Sequence, residues 1–128
     1  MGDLSAHFDR SEFACRGAVC CGGAAPISER LVAALELLRE LASSERPGKH
    51  VQLAINSGFR CLTHNRSLGS PDTSQHPLGL AADVRPIGVS VSDLARTAEQ
   101  IPDFEQGGIG LYCNFVHLDV RRDGPARW

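Results

Sequence analysis

Hydrophobic positions along this chain follow two periods. Between Pro26 and Ser44, Ile27, Leu31, Leu35, Leu38 and Leu41 recur at helical spacing and form one apolar stripe. Glu29, Arg30, Glu36, Arg39 and Glu40 fall mostly off that stripe, toward water. Pro26 suits a first helical turn and Pro47-Gly48 marks a stop, so the pattern predicts a helix over 26–44. Ser90 and Asp93 form a capping-box pair ahead of Val91, Leu94, Ala95, Ala98 and Ile101. That predicts a second helix, with Pro102 expected to end it.

The other period is two. Val51, Leu53 and Ile55 share one face of a predicted strand. From Leu80 to Arg85, Leu80, Ala82 and Val84 oppose Ala81, Asp83 and Arg85. From Phe115 to Arg121, Val116, Leu118 and Val120 oppose Phe115, His117, Asp119 and Arg121. Ile109 and Leu111 suggest a further strand, with Asn114 in the turn that follows. SGFRCLTHNRSLG reads as a strand turning into a short helix, and 70–79 as loop. Residues 1–25 read as irregular, with room for one short helical turn in FDRSEFAC. Helix, strand, strand, helix and two strands with short connections predict an α+β fold: a small antiparallel sheet with helices packed on it.

Composition narrows the class. The 128 residues suffice for one domain with one core. A net charge of -2 argues against nucleic acid as a partner. No apolar run approaches the roughly 20 residues of a membrane span. MGDLSAHFDR lacks the basic and apolar regions of a secretory signal. The reading is of a monomer without a membrane span. Cys15, Cys20, Cys21, Cys61 and Cys113 make an odd count of five, so a pure disulfide framework leaves one over. One disulfide plus buried thiols is the simplest arrangement; a structural zinc held partly by Cys15 and Cys20 or Cys21 is the alternative. None of the five shows an evident catalytic spacing.

The chemistry concentrates in SQHPLGLAAD and FVHLDV. His76 precedes Asp83 by seven residues, with Pro77 and Gly79 bending the chain between them. Asp83 and His117 each interrupt an apolar strand, where a polar group needs a partner or a metal. Taken singly, each is best explained as a satisfied core group or a salt bridge to an arginine. Together they are three zinc-competent side chains that leave a fourth position open, the catalytic rather than the structural arrangement.

From about residue 26 to the end the chain resembles the M15 zinc peptidases, in the branch of murein endopeptidases and phage-associated peptidoglycan hydrolases. The resemblance is carried by Ser57-Gly58-Phe59-Arg60, His64-Asn65, Ser74-x-His76-x-x-Gly79-x-Ala81-x-Asp83, Gly107 to Tyr112, Phe115 to Val120 and Arg127-Trp128. It implies a fold shared with D-alanyl-D-alanine dipeptidases and the hedgehog signalling domain. It implies Zn2+ on His76, Asp83 and His117, and Arg60 stabilising charge on the substrate. Ser74 and Tyr112 are candidates for substrate contact, and Trp128 for packing. The implied activity is that of a D,D-carboxypeptidase or murein endopeptidase: hydrolysis of D-amino-acid peptide bonds in peptidoglycan stem peptides by zinc-activated water, in the periplasm or after delivery by a phage. The alternative is an inactive zinc-carrying binding module of a phage tail or cell-wall protein.

In several relatives a glutamate three residues before the last histidine acts as general base. Asn114 stands there, and an amide cannot accept and return a proton near neutral pH. Asp119 is the next carboxylate on the His117 face, a base or a support for a ligand histidine, with a salt bridge to Arg121 or Arg85 as the plainer role. Failing Asp119, the N-terminal Glu12 is the next candidate.

Overall fold

A computed structural model describes residues 2–17, 20–46, 48 and 50–128. Helix α1 spans Glu29–Ser44. It begins three residues after Pro26 because Ser28 is the cap: its Oγ accepts from Leu31 N at 3.3 Å. Ile27 stays outside the helix and packs against the core. Pro47, one of the expected stop residues, lies outside the described residues. Strand β1 is Gln52–Ser57, α2 is Leu62–Ser67, and a 3-10 turn at His76–Leu78 leads into β2, Ala81–Ile87. Pro86 falls within β2 at a position that β4 no longer flanks, an edge that tolerates a residue without an N–H.

Helix α3, Val91–Ala98, stops short of the expected end, and α4, Pro102–Glu105, follows it. Pro102 opens this second helix instead of closing the first, because a first helical position needs no N–H donor. Buried Ile101 sits at the corner and its carbonyl accepts from Phe104 N and Glu105 N. Strands β3, Gly108–Leu111, β4, Val116–Asp119, and β5, Ala126–Arg127, complete the chain. No helix among the described residues is long and apolar enough to cross a membrane.

The five strands lie in the order β1-β2-β4-β3-β5. The first three pairings are antiparallel, but β5 runs parallel to β3. The fold is α+β as expected, and its sheet is mixed instead of purely antiparallel. Strand β5 lies in a segment without alternation and is only two residues long. Backbone bonds from Leu111 N to Trp128 O at 2.7 Å and from Trp128 N to Ile109 O at 3.2 Å hold the C-terminus in register.

One face of the sheet, with Leu53, Ile55, Ala82, Val84, Ile109, Val116 and Leu118, packs on Leu31, Leu35 and Leu38 of α1 and on Leu94 and Phe104. Phe8 and Phe13 from the N-terminal segment join this core with ring centroids 5.9 Å apart. Phe13 ends a 3-10 turn over Arg10–Phe13, within the stretch that the sequence allows one turn. The helices thus cover one face and leave the polar face for chemistry.

Candidate metal centre and substrate cleft

The register of the sheet assembles the polar face. Asp83 on β2 pairs with His117 on β4, which pairs with Gly110 on β3; one row along, Ala81, Asp119 and Gly108 line up in the same way. His117 therefore has a bare glycine on its β3 side, and Asp119 stands between an alanine and a glycine. A Cβ at Gly108 would overlap the Asp119 carboxylate, and one at Gly110 would come within 2.5 Å of the Trp128 indole. The bare positions Gly108 and Gly110 of β3 are the floor on which His117, Asp119 and Trp128 lie.

His76 reaches the same point from its 3-10 turn. Ser74 Oγ accepts from His76 N at 3.3 Å, and Gly79, at φ 72°, closes the turn with its N–H on His76 O. His76 Nδ1 lies 2.7 Å from Gly58 O. A carbonyl only accepts, so Nδ1 donates, and Nε2 faces Asp83 Oδ1 at 3.3 Å. His117 is oriented the other way round. Its Nε2 donates to Asp119 Oδ2 at 2.8 Å, leaving Nδ1 facing Asp83 Oδ1 at 3.0 Å.

His76 Nε2, Asp83 Oδ1 and His117 Nδ1 thus converge, with all three donor atoms within 4.8 Å of one another. Two imidazoles with their far nitrogens committed, and one carboxylate, form a donor set that fits a zinc ion. Without a metal, burial pushes the Asp83 carboxyl up, but hydrogen bonds with His117 and His76 outweigh it and hold it well below the usual carboxylate range. Burial lowers His117, yet Asp119 and Asp83 together raise it.

Arg60 lies behind Asp83. Its Nη2 donates to Asp83 Oδ2 at 3.0 Å, and its Nε to Ser57 Oγ at 3.0 Å. Buried Asn65 accepts from Arg60 Nη1 at 3.3 Å and donates to Pro71 O. Asp83 therefore turns one oxygen to the histidines and the other to the guanidinium.

Asp119 lies behind His117, fully buried. Oδ1 accepts from Gly108 N at 2.8 Å and from Arg121 N and Nε; Oδ2 accepts from His117 and from Arg121 Nη2 at 2.7 Å. Burial opposes its ionisation, but Arg121 first, and then His117, keep the carboxyl far below its ordinary value. Arg85 is not among its partners. Glu12 accepts from Asp9 N in the N-terminal turn and lines a different hollow, with His7 and Arg39. Asn114 is exposed.

A cleft of about 350 Å³ opens over the three donor atoms. Arg60, Ser74, Tyr112, Phe115, Arg121 and Trp128 line it. Tyr112 stacks on Phe115 with centroids 4.4 Å apart, and its hydroxyl accepts from Trp128 Nε1 at 2.8 Å. Trp128 packs on the His117 ring at 4.8 Å and stays half-exposed, so it is packing and cleft wall at once. Phe115 and Arg121 were not singled out from the sequence as cleft residues, although strand parity had placed both on the His117 face.

A family model described as Peptidase M15 matches residues 6–119. The chain belongs to the Peptidase M15 family. The match extends to the N-terminal segment, twenty residues before the stretch that carries the sequence resemblance. M15 peptidases are zinc-dependent and act on peptides, so the chain is a metallopeptidase by family, and His76, Asp83 and His117 could hold its metal. No curated protein matches the chain closely.

Proposed function

We propose that this M15 peptidase hydrolyses D-amino-acid peptide bonds of peptidoglycan, as a D,D-carboxypeptidase or murein endopeptidase, through a zinc ion on His76, Asp83 and His117. The observation that carries the metal assignment is the pair of committed histidine nitrogens, which turns His76 Nε2 and His117 Nδ1 toward Asp83 Oδ1. Zinc, when bound, supplies a Lewis acid and lowers the pKa of a water to about 7. The residues of the chain do the rest. Arg60 anchors Asp83 and, at the cleft wall, is placed to hold negative charge that develops on the substrate. Asp119 fixes the tautomer and aim of His117, a positioning part that suits its complete burial. The stacked Tyr112 and Phe115, with Trp128, offer the apolar wall against which a stem peptide would lie. Ser74 sets the His76 turn and faces the same cleft.

A second reading, an inactive zinc-carrying binding module of a phage tail or cell-wall protein, is favoured by one feature. Among the described residues lining the cleft, Asp83 is the sole carboxylate, so no free carboxylate stands ready as a general base.

The test is digestion of purified peptidoglycan, followed by mass analysis of released fragments, with a chelated control. Chelator-sensitive cleavage at D-centres, with casein left intact, is expected. Rapid casein cleavage with muropeptides untouched would overturn the substrate class. Bound zinc without turnover would establish the module.

A further inference from the structure

Four of the five cysteines meet away from the cleft. The Sγ atoms of Cys15, Cys20, Cys21 and Cys61 all lie within 4.8 Å of one another, and none of the five cysteines is joined in a disulfide. Cys15 and Cys20 are 3.7 Å apart, Cys15 and Cys61 3.9 Å, and Cys20 and Cys21 3.8 Å. Four sulfurs in a tetrahedron at about 2.3 Å from one central ion have edges of about 3.8 Å. The three measured edges fall on that value. An iron–sulfur cluster, with several irons and sulfides inside its cysteines, would hold the sulfurs farther apart.

We propose that Cys15, Cys20, Cys21 and Cys61 form a tetrathiolate site for one zinc ion, distinct from the His76–Asp83–His117 centre, that staples the N-terminal segment to the turn bearing Arg60. The surroundings are shaped for it. A Cβ at Gly17 would overlap Cys20 Sγ, so the glycine leaves room for the thiol. Cys61 Sγ accepts from His64 N at 3.5 Å, as a metal thiolate does from a nearby amide. Cys15 N donates to Ala24 O and Phe59 N to Phe13 O, both at 2.8 Å, holding the two stretches in place.

The site bears on the cleft through the chain itself. Cys61 follows Arg60, and three residues before it stands Gly58, whose carbonyl fixes His76.

The experiment counts metal and reactive thiols in protein purified under reducing conditions. Two zinc ions per chain are expected in the natural sequence, and one each in Cys15→Ser and in His76→Ala/His117→Ala. Alkylation of the zinc-loaded folded protein should label Cys113 alone, and all five cysteines after chelation. Should Cys15→Ser fail to fold, cobalt replaces zinc in the natural sequence: sulfur-to-cobalt charge-transfer absorption is expected, and the nitrogen–oxygen centre cannot produce it. One zinc per chain with equal alkylation before and after chelation would overturn the site. So would a chelator-insensitive disulfide among the four, or cobalt spectra without thiolate bands.

Discussion

Asp119 and Arg60 each hold one end of a residue in the proposed metal set, and their replacement separates positioning from proton transfer. Asp119→Asn keeps the shape and removes the charge that fixes the proton on His117 Nε2. Zinc affinity should fall by about 10- to 100-fold, read by competition with a chromophoric chelator, with turnover at saturating zinc changed far less. The reverse pattern, intact binding with about 100-fold slower hydrolysis, would make Asp119 the base. Arg60→Lys keeps the charge but loses the fork that joins Asp83 and Ser57. It should lower kcat by about 100-fold or more, as loss of a charge-stabilising donor does, measured on muropeptides at saturating zinc.

At the level of elements, β3 works because it is almost bare. Gly110→Ala drives a methyl into the Trp128 indole, which rests on His117. Overpacking of this kind costs about 1–3 kcal/mol. Thermal unfolding of the metal-free protein should show it as a lower melting temperature, free of any effect on metal binding. The N-terminal segment docks on α1 through another contact: Glu36 accepts from Ser5 Oγ at 2.6 Å and from His7 N and Nδ1, each at 2.7 Å. Burial pushes Glu36 up, but the bonds from Ser5 and His7 outweigh it and lower its pKa. A carboxylate lowered in the folded state stabilises above its unfolded value, and that contribution is lost as pH falls through the folded one. Urea unfolding should therefore find Glu36→Gln less stable by about 0.5–1 kcal/mol near neutrality, with the difference closing as the medium is acidified below the ordinary glutamate range. A difference that persists unchanged in acid would assign it to packing instead of charge.

For the molecule as a whole, zinc held as proposed would add to the stability of the fold. A ligand that binds only the folded chain adds about 4 kcal/mol at a thousandfold excess over its Kd. Chelation should accordingly lower the melting temperature by about ten degrees or more, recovered on adding zinc back and measured by calorimetry.

The sequence by itself determined a good part of this. Leu31, Leu35 and Leu38 had to share a helix face, and strict alternation put His117, Asp119 and Arg121 on the strand face away from Val116 and Leu118, because side-chain direction depends only on local backbone period. The residue types of His76, Asp83 and His117 likewise limited the chemistry to metal ligation or ordinary pairing. Whether they meet at all depended on the register of β2 against β4, a long-range pairing that sets Asp83 opposite His117 and no local pattern encodes. The parallel strand β5 was equally hidden, since its two residues owe their conformation to Gly108 and Ile109. Tertiary structure alone showed Asp119 buried behind His117 and Glu12 lining a different hollow. It also gathered Cys61 with cysteines forty or more residues earlier, since distance along a chain does not limit distance in a folded one.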